Sequence, residues 1–206
     1  QKFKWEIVVP EDLDRPLEDL TIFKNELWLH YLENVSSVVK ILDINGTHLW
    51  TLDLPPCSTF SGISCDKDSD EMFYGVSNFF VRHDVFRIDR ESGKIELFYR
   101  HDKGLDPDEF VVKQLWYESK GGTTVPMFVL HKKGISLDGK NPTMLYGYGG
   151  FRISIPPEFS STRIPFLERG GVYVIANIRG GNEFGEKWFG QGILEKKQNV
   201  FDDFIA

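Results

Sequence analysis

The stretch Met144-Leu-Tyr-Gly-Tyr-Gly-Gly-Phe151 runs from apolar residues straight into three glycines, with Tyr148 set between Gly147 and Gly149. Glycines at that point let the backbone turn sharply and approach a ligand closely. A tyrosine hydroxyl on such a loop can donate to the oxyanion that develops when a nucleophile adds to a carbonyl carbon. Removing one such donor costs on the order of 10²–10³ in turnover. The same residues also fit a tight strand-to-loop turn around a core tyrosine. They do not fit a nucleotide loop. GxGxxG fails because Arg152 stands where the third glycine belongs, and no GxxxxGK[ST] occurs in the sequence.

A second cluster, Asn177-Ile-Arg-Gly-Gly-Asn-Glu-Phe-Gly185, follows the apolar run Val172-Tyr-Val-Ile-Ala-Asn-Ile178. The carboxyl end of a strand is where open α/β sheets place their ligand crevice. Arg179 and Glu183 are near enough in sequence to order this loop by a hydrogen bond or an ion pair with each other. As a bare pattern a purely structural loop is the better fit. No nucleophile elbow of the form GxSxG is present: Gly62-Ile-Ser64 and Gly75-Val-Ser77 each lack the second glycine. The five histidines (His30, His48, His83, His101, His131) have no metal-ligand spacing and read as satisfied or surface residues.

The elements that would position these loops fall into two grammars. Residues 1–105 read as short strands between turns, with Leu20–Phe23, Glu26–Tyr31, Val38–Ile44 and His48–Leu54 rich in β-formers and Asn45-Gly46 marking a hairpin. Glu71-Met-Phe-Tyr answers Glu26-Leu-Trp-Leu about 45 residues on, and Ser92-Gly93 answers Asn45-Gly46. That period, with about four strands in it, suits a β-propeller blade, and a β-sandwich is the alternative. The polar segment 102–108 (DKGLDPD) marks a boundary, giving domains 1–105 and 106–206. Beyond it, Phe110–Glu118 and Thr123–His131 read as paired strands around Lys120-Gly121-Gly122. Thr143–Tyr146 and Gly171–Ile178 read as fully buried strands, with a helix between them in Pro157–Gly170. From Glu195 the pattern is helical, with Val200, Phe204 and Ile205 on the apolar face and Asp202 and Asp203 exposed. Strand, helix, strand, helix after an antiparallel start is the grammar of an α/β-hydrolase. In that architecture serine, aspartate and histidine follow the elbow, so the catalytic triad is expected outside these 206 residues.

The formal net charge of −7, with scattered lysines and arginines, argues against nucleic acid and against adsorption to a membrane surface. No stretch approaches the roughly 18 apolar residues of a membrane span. The first residues lack the apolar run of a signal peptide. Cys57 and Cys65 fit neither a zinc knuckle nor a CxxC pair, so two free thiols and a cytoplasmic location are expected.

Leu145-Tyr-Gly-Tyr-Gly-Gly-Phe151, Ala176-Asn-Ile-Arg-Gly-Gly181, Glu183-Phe-Gly-Glu186 and Lys197-Gln-Asn-Val-Phe-Asp-Asp-Phe204 together resemble the prolyl oligopeptidase family of serine peptidases in order and spacing. Val125-Pro-Met-Phe-Val, His131-Lys-Lys-Gly134 and Leu137-Asp-Gly139 add to the likeness. It is dense over 110–206 and looser over 1–105, where it aligns with the last propeller blades. The resemblance implies the last blades of a seven-bladed propeller followed by the start of an α/β-hydrolase domain. It implies a serine endopeptidase acting after proline on short peptides, with the propeller excluding large proteins. Tyr148 matches the family's oxyanion tyrosine and Phe151 an aromatic of the proline-binding S1 pocket. Arg179, Gly180, Gly181 and Glu183 match a supporting loop. The one departure, Asn182 in place of Gly or Ser, puts that loop's backbone angles in question. No metal or cofactor is required. The partners expected are short proline-containing peptides and the remainder of the same polypeptide, in a monomeric enzyme. The rivals are a peptide macrocyclase or other oligopeptidase on the same scaffold, and a non-catalytic propeller that binds partners.

Overall fold

The computed structural model describes residues 4–66, 68–101 and 106–206. Its first half is two antiparallel four-stranded meanders. One holds β1 (Leu17–Phe23), β2 (Glu26–Glu33), β3 (Ser36–Asp43) and β4 (His48–Leu52), in chain order. The other holds β5 (Ser58–Cys65), β6 (Glu71–Asn78), β7 (Asp84–Asp89) and β8 (Lys94–Arg100), again in chain order. Glu26 and Glu71 open equivalent second strands, so the offset of about 45 residues read from the sequence is one blade. Side chains alternate across a strand. Along β2, Trp28 therefore enters a core shared with the second sheet, through Met72, Tyr74 and Val76, while Leu27, Leu29 and Tyr31 form a cluster on the other face with Leu42. That double burial explains why β2 carries so few polar residues. The hairpin after β3 turns with Gly46 at φ +89°, and its anchor is the Asp43 carboxylate, which accepts from the Asn45 and Thr47 amides at 2.9 and 2.8 Å.

The turn between β2 and β3 is tighter. Asn34 and Val35 sit at φ +49° and +64°, and Val35 is wholly buried. A left-handed β-branched residue costs roughly 1–3 kcal/mol. Its side chain, however, lies in a cluster with Phe79, Phe110, Phe128, Leu130 and Ile175, which draws on both halves of the molecule. Burying a valine contributes about 1.5–3 kcal/mol, enough to offset the strain. Gln114 Nε2 donates to the Asn34 carbonyl at 2.7 Å, and Thr59 Oγ1 donates to the Pro157 carbonyl at 2.7 Å. These contacts join the blades to the second half.

That half is a mixed sheet in the order β11-β12-β10-β9. The strands β9 (Phe110–Glu118) and β10 (Thr124–Lys132) are the expected hairpin, closed by Gly121 and Gly122. β11 (Thr143–Gly147) and β12 (Val172–Ala176) run parallel, joined through α1 (Ile164–Glu168), whose second residue is Pro165. After β12 come α2 (Gly185–Gly190), a 3₁₀ turn (Leu194–Lys196) and α3 (Gln198–Ile205). Two expectations need correction. β11 is not buried: Met144, Leu145 and Tyr146 are exposed, because β11 is the edge strand of the described sheet and no layer covers it. Asp203 is not exposed but fully buried, while Ile205 faces out and Phe204 stays partly exposed against Gly147. Helix α2 was not legible, since six residues between glycines are too few for a 3.6-residue period to show. The boundary expected at 105/106 falls among residues 102–105, outside the described residues. Cys57 and Cys65 are free thiols, each half-buried. No helix among the described residues is long and apolar enough to cross a membrane.

Candidate active site

Gly147 pairs with Ala176, so the parallel strands β11 and β12 end level with each other and release their loops at the same edge. The first loop presents Tyr148, 43 % exposed, and Phe151, 83 % exposed. Phe151 and Arg152 both lie at positive φ, +55° and +59°, and a turn bond from the Ile153 amide to the Gly150 carbonyl (3.0 Å) closes the bend. The second loop, Asn177–Gly185, runs beneath. Asn177, Arg179 and Glu183 are 0, 5 and 2 % exposed.

Glycine is required where the two loops meet. A Cβ on Gly149 (φ +59°) would stand 2.5 Å from Val200 Cγ1 and 2.8 Å from the Arg179 carbonyl oxygen. A Cβ on Gly180 (φ +96°) would stand 2.6 Å from the Gly149 carbonyl oxygen. The backbones are thus in van der Waals contact, and the Arg152 amide donates to the Gly180 carbonyl at 3.2 Å.

Arg179 and Glu183 were expected to pair with each other, and they do not. Arg179 donates from its amide and from Nε to Asp203 Oδ2, at 3.0 and 2.9 Å, and from Nη2 to Oδ1 at 2.5 Å. This is a buried bidentate pair to α3, a geometry that suits guanidinium. Four residues along a loop do not bring two side chains together when the chain between them turns. Glu183 Oε1 instead accepts from the Ile155 amide at 3.1 Å and from Asn177 Nδ2 at 3.4 Å. Its Oε2 and the Asn177 Oδ1 are buried without a partner. Burial pushes the Glu183 carboxyl up to about 7, against the pull of those donors. Asn182 does not take a left-handed conformation, so the departure from Gly or Ser there leaves the loop's angles undisturbed; it donates to Glu18 Oε1 at 3.3 Å.

Sequence reasoning missed Asp203 and Lys197. Asp203 lies three residues after Val200 and therefore shares its buried helical face, a signal visible in the spacing. Lys197 Nζ donates to the Gly149 carbonyl at 2.7 Å. The histidines are spread: His30 contacts Ser37 Oγ at 2.8 Å, His48 contacts Thr51 Oγ1 at 2.9 Å, and His131 Nδ1 lies 2.9 Å from the Lys132 carbonyl. Among the described residues no group of three His, Cys, Asp or Glu side chains is placed to hold a metal ion.

Residues 1–101 match the family model described as "Prolyl oligopeptidase, N-terminal beta-propeller domain", and residues 157–206 match "Prolyl oligopeptidase family". The chain belongs to the prolyl oligopeptidase family. It is 39 % identical over 176 residues to the prolyl endopeptidase of Elizabethkingia miricola, covering 85 % of this chain and 25 % of that protein. It is 46 % identical over 212 residues to prolyl oligopeptidase A of Galerina marginata, covering 97 % of this chain and 28 % of that one. A solved structure from a study of two prolyl endopeptidases superposes with a TM-score of 0.90 at 40 % identity, over 97 % of this chain and 29 % of that chain. Prolyl oligopeptidase B from Galerina marginata, bound to a 35mer hydrolysis and macrocyclization substrate, gives 0.90 at 34 % identity, over 98 % of this chain and 29 % of that chain. The chain spans about a quarter of the length of these relatives. Its fold is that of propeller blades followed by the start of the peptidase domain.

Proposed function

We propose that these residues are part of a serine endopeptidase that hydrolyses short peptides on the carboxyl side of proline. Tyr148 donates to the oxyanion, and Phe151 lines the pocket for the proline ring. The observation that carries this reading is the exposure of both side chains at the carboxyl end of β11, on a backbone fixed from below by Gly180, Lys197 and Val200. In the proposed reaction a serine hydroxyl of the intact protein adds to the carbonyl after proline while a histidine takes its proton, and an aspartate orients the histidine. The carbonyl oxygen gains the negative charge, and the Tyr148 hydroxyl stabilises it. Collapse expels the amine and leaves an acyl-enzyme for water to cleave. Arg179, Gly180, Gly181 and Glu183 act as support. The domains divide at 105/106, the intact enzyme is monomeric, and free Cys57 and Cys65 suit a reducing cytoplasm.

One observation favours a second reading. The chain is 35 % identical over 204 residues to a relative named "Dual function macrocyclase-peptidase POPB". An amine in place of water as acyl acceptor would join peptide ends on the same scaffold. Labelling of the intact protein with a fluorophosphonate, read by intact mass, tests the enzyme reading. Label competed by a Gly-Pro substrate supports it, and no label on active-site titration sinks it. Product analysis with a long proline-containing peptide separates cyclic from linear products.

A further inference from the structure

The first loop rests on one face of α3. Lys197, Val200 and Phe204 lie at i, i+3 and i+7, so they line one side of a helix. Each meets a different part of the segment that delivers Tyr148. Phe204 packs against Gly147, where a Cβ would stand 3.0 Å from its ring. Val200 packs against Gly149, where the same distance would be 2.5 Å. Lys197 donates to the Gly149 carbonyl at 2.7 Å. A Cβ on Gly150 would meet the Tyr148 ring at 3.8 Å and Lys197 Nζ at 3.9 Å, so the ammonium and the phenol ring flank the same small space. The other end of the helix is tied down by Asp203, through Arg179 and through the Tyr117 hydroxyl, which donates to the Asp203 carbonyl at 2.7 Å.

We infer that Lys197 is a positioning residue for the oxyanion donor, an inference that rests on the reading of Tyr148 given above. Val200 and Phe204 set how close the loop lies to the helix, but apolar contact does not fix the rotation of a peptide plane. The 149–150 peptide is the link between Tyr148 and Phe151, and the Lys197 hydrogen bond is directional. It holds that carbonyl toward α3. Without it, only packing against Gly180 and Val200 restrains the plane between two glycines, and the phenol's aim is less firmly fixed. Misplacement of a catalytic group by about an ångström can cost on the order of 10²-fold.

The test is a set of variants in the intact protein, assayed with a Gly-Pro chromogenic substrate. Lys197→Met is expected to lower kcat roughly 10- to 100-fold with KM changed less than about threefold. Its melting temperature should stay within a few degrees, and Lys197→Arg should recover most of the rate. In a Tyr148→Phe background the further Lys197→Met change should cost less than about twofold, since a donor that is absent cannot be mis-aimed. Unchanged kcat in Lys197→Met overturns the inference while leaving Tyr148 in place. Multiplying losses in the double variant overturn it too, because the two residues would then act separately. A silent Tyr148→Phe removes the reading of Tyr148 itself and the inference with it. Should Lys197→Met not fold, Lys197→Gln keeps an N–H donor on a stem one atom shorter, and the same double-variant comparison decides.

Discussion

Two loops leave neighbouring parallel strands at the same level, and they divide their residues in opposite ways. The Tyr148 loop puts its side chains into solvent and its backbone against the protein. The Arg179 loop buries its side chains, with charges among them, and lends its backbone to its neighbour. A group that must meet a substrate has to be exposed, yet an exposed loop has few side-chain contacts to hold it. The rigidity therefore comes from underneath, through glycine contacts and buried polar groups.

The most damaging way to break this arrangement is to remove Asp203. Asp203→Ala leaves the Arg179 guanidinium buried without its carboxylate, and the expected loss is about 3–5 kcal/mol of stability, read by chemical denaturation. A loss below about 1 kcal/mol would show that water reaches Arg179 and that the two loops differ less in burial than the structure indicates. Tyr148→Phe is expected to leave the fold intact and reduce kcat by about 10²–10³. That outcome would put chemistry in the exposed loop alone, and near-normal turnover would take Tyr148 out of its role.

Glu183 sharpens the contrast through pH. Its folded-state value is raised from 4.5 to about 7 by burial. Below about pH 4.5 both folded and unfolded states hold the proton and the group is neutral in the balance. As pH rises toward 7 only the unfolded state releases it, so stability falls across that window and then levels. The cost above it is on the order of 3 kcal/mol. Glu183→Gln keeps an acceptor for the Ile155 amide and offers a donor to the unpartnered Asn177 Oδ1. It should raise stability at pH 8 and change little at pH 4, when the two unfolding curves are compared. The smallest effect belongs to the exposed tie between the first loop and α2. Arg152 pairs with Glu186 at 2.8 Å, both side chains more than half exposed. Glu186→Gln should cost less than about 1 kcal/mol.

Much of the scaffold was legible because local rules govern it. Strand alternation in β2, the Asn45-Gly46 hairpin and the Gly121-Gly122 turn each act over a few residues, and the 45-residue repeat announces a second copy of the first sheet. The glycine loops were legible as places where backbone must come close, though not what came close. The partners of Arg179 and Glu183 were misread because proximity along the chain was taken for proximity in space. The carboxylate that reaches Arg179 comes from Asp203, 24 residues further on. Helix α3 was read for which residues were apolar, and a buried aspartate on its apolar face is invisible to that criterion until its partner is known. The exposure of β11 depends on what lies beside an edge strand, which its own residues do not record.

The β2–β3 turn carries one more consequence. Its left-handed Val35 is tolerable only while its isopropyl group is lodged among Phe79, Phe110 and Phe128. If the second half were to unfold, the valine would keep Phe79 and Phe80 but lose Phe110, Phe128, Leu130 and Ile175, and less burial would be left to offset the strain. The converse holds as well, since the phenylalanine cluster without Val35 would be left with a cavity. Each half thus raises the free energy of the other's departure.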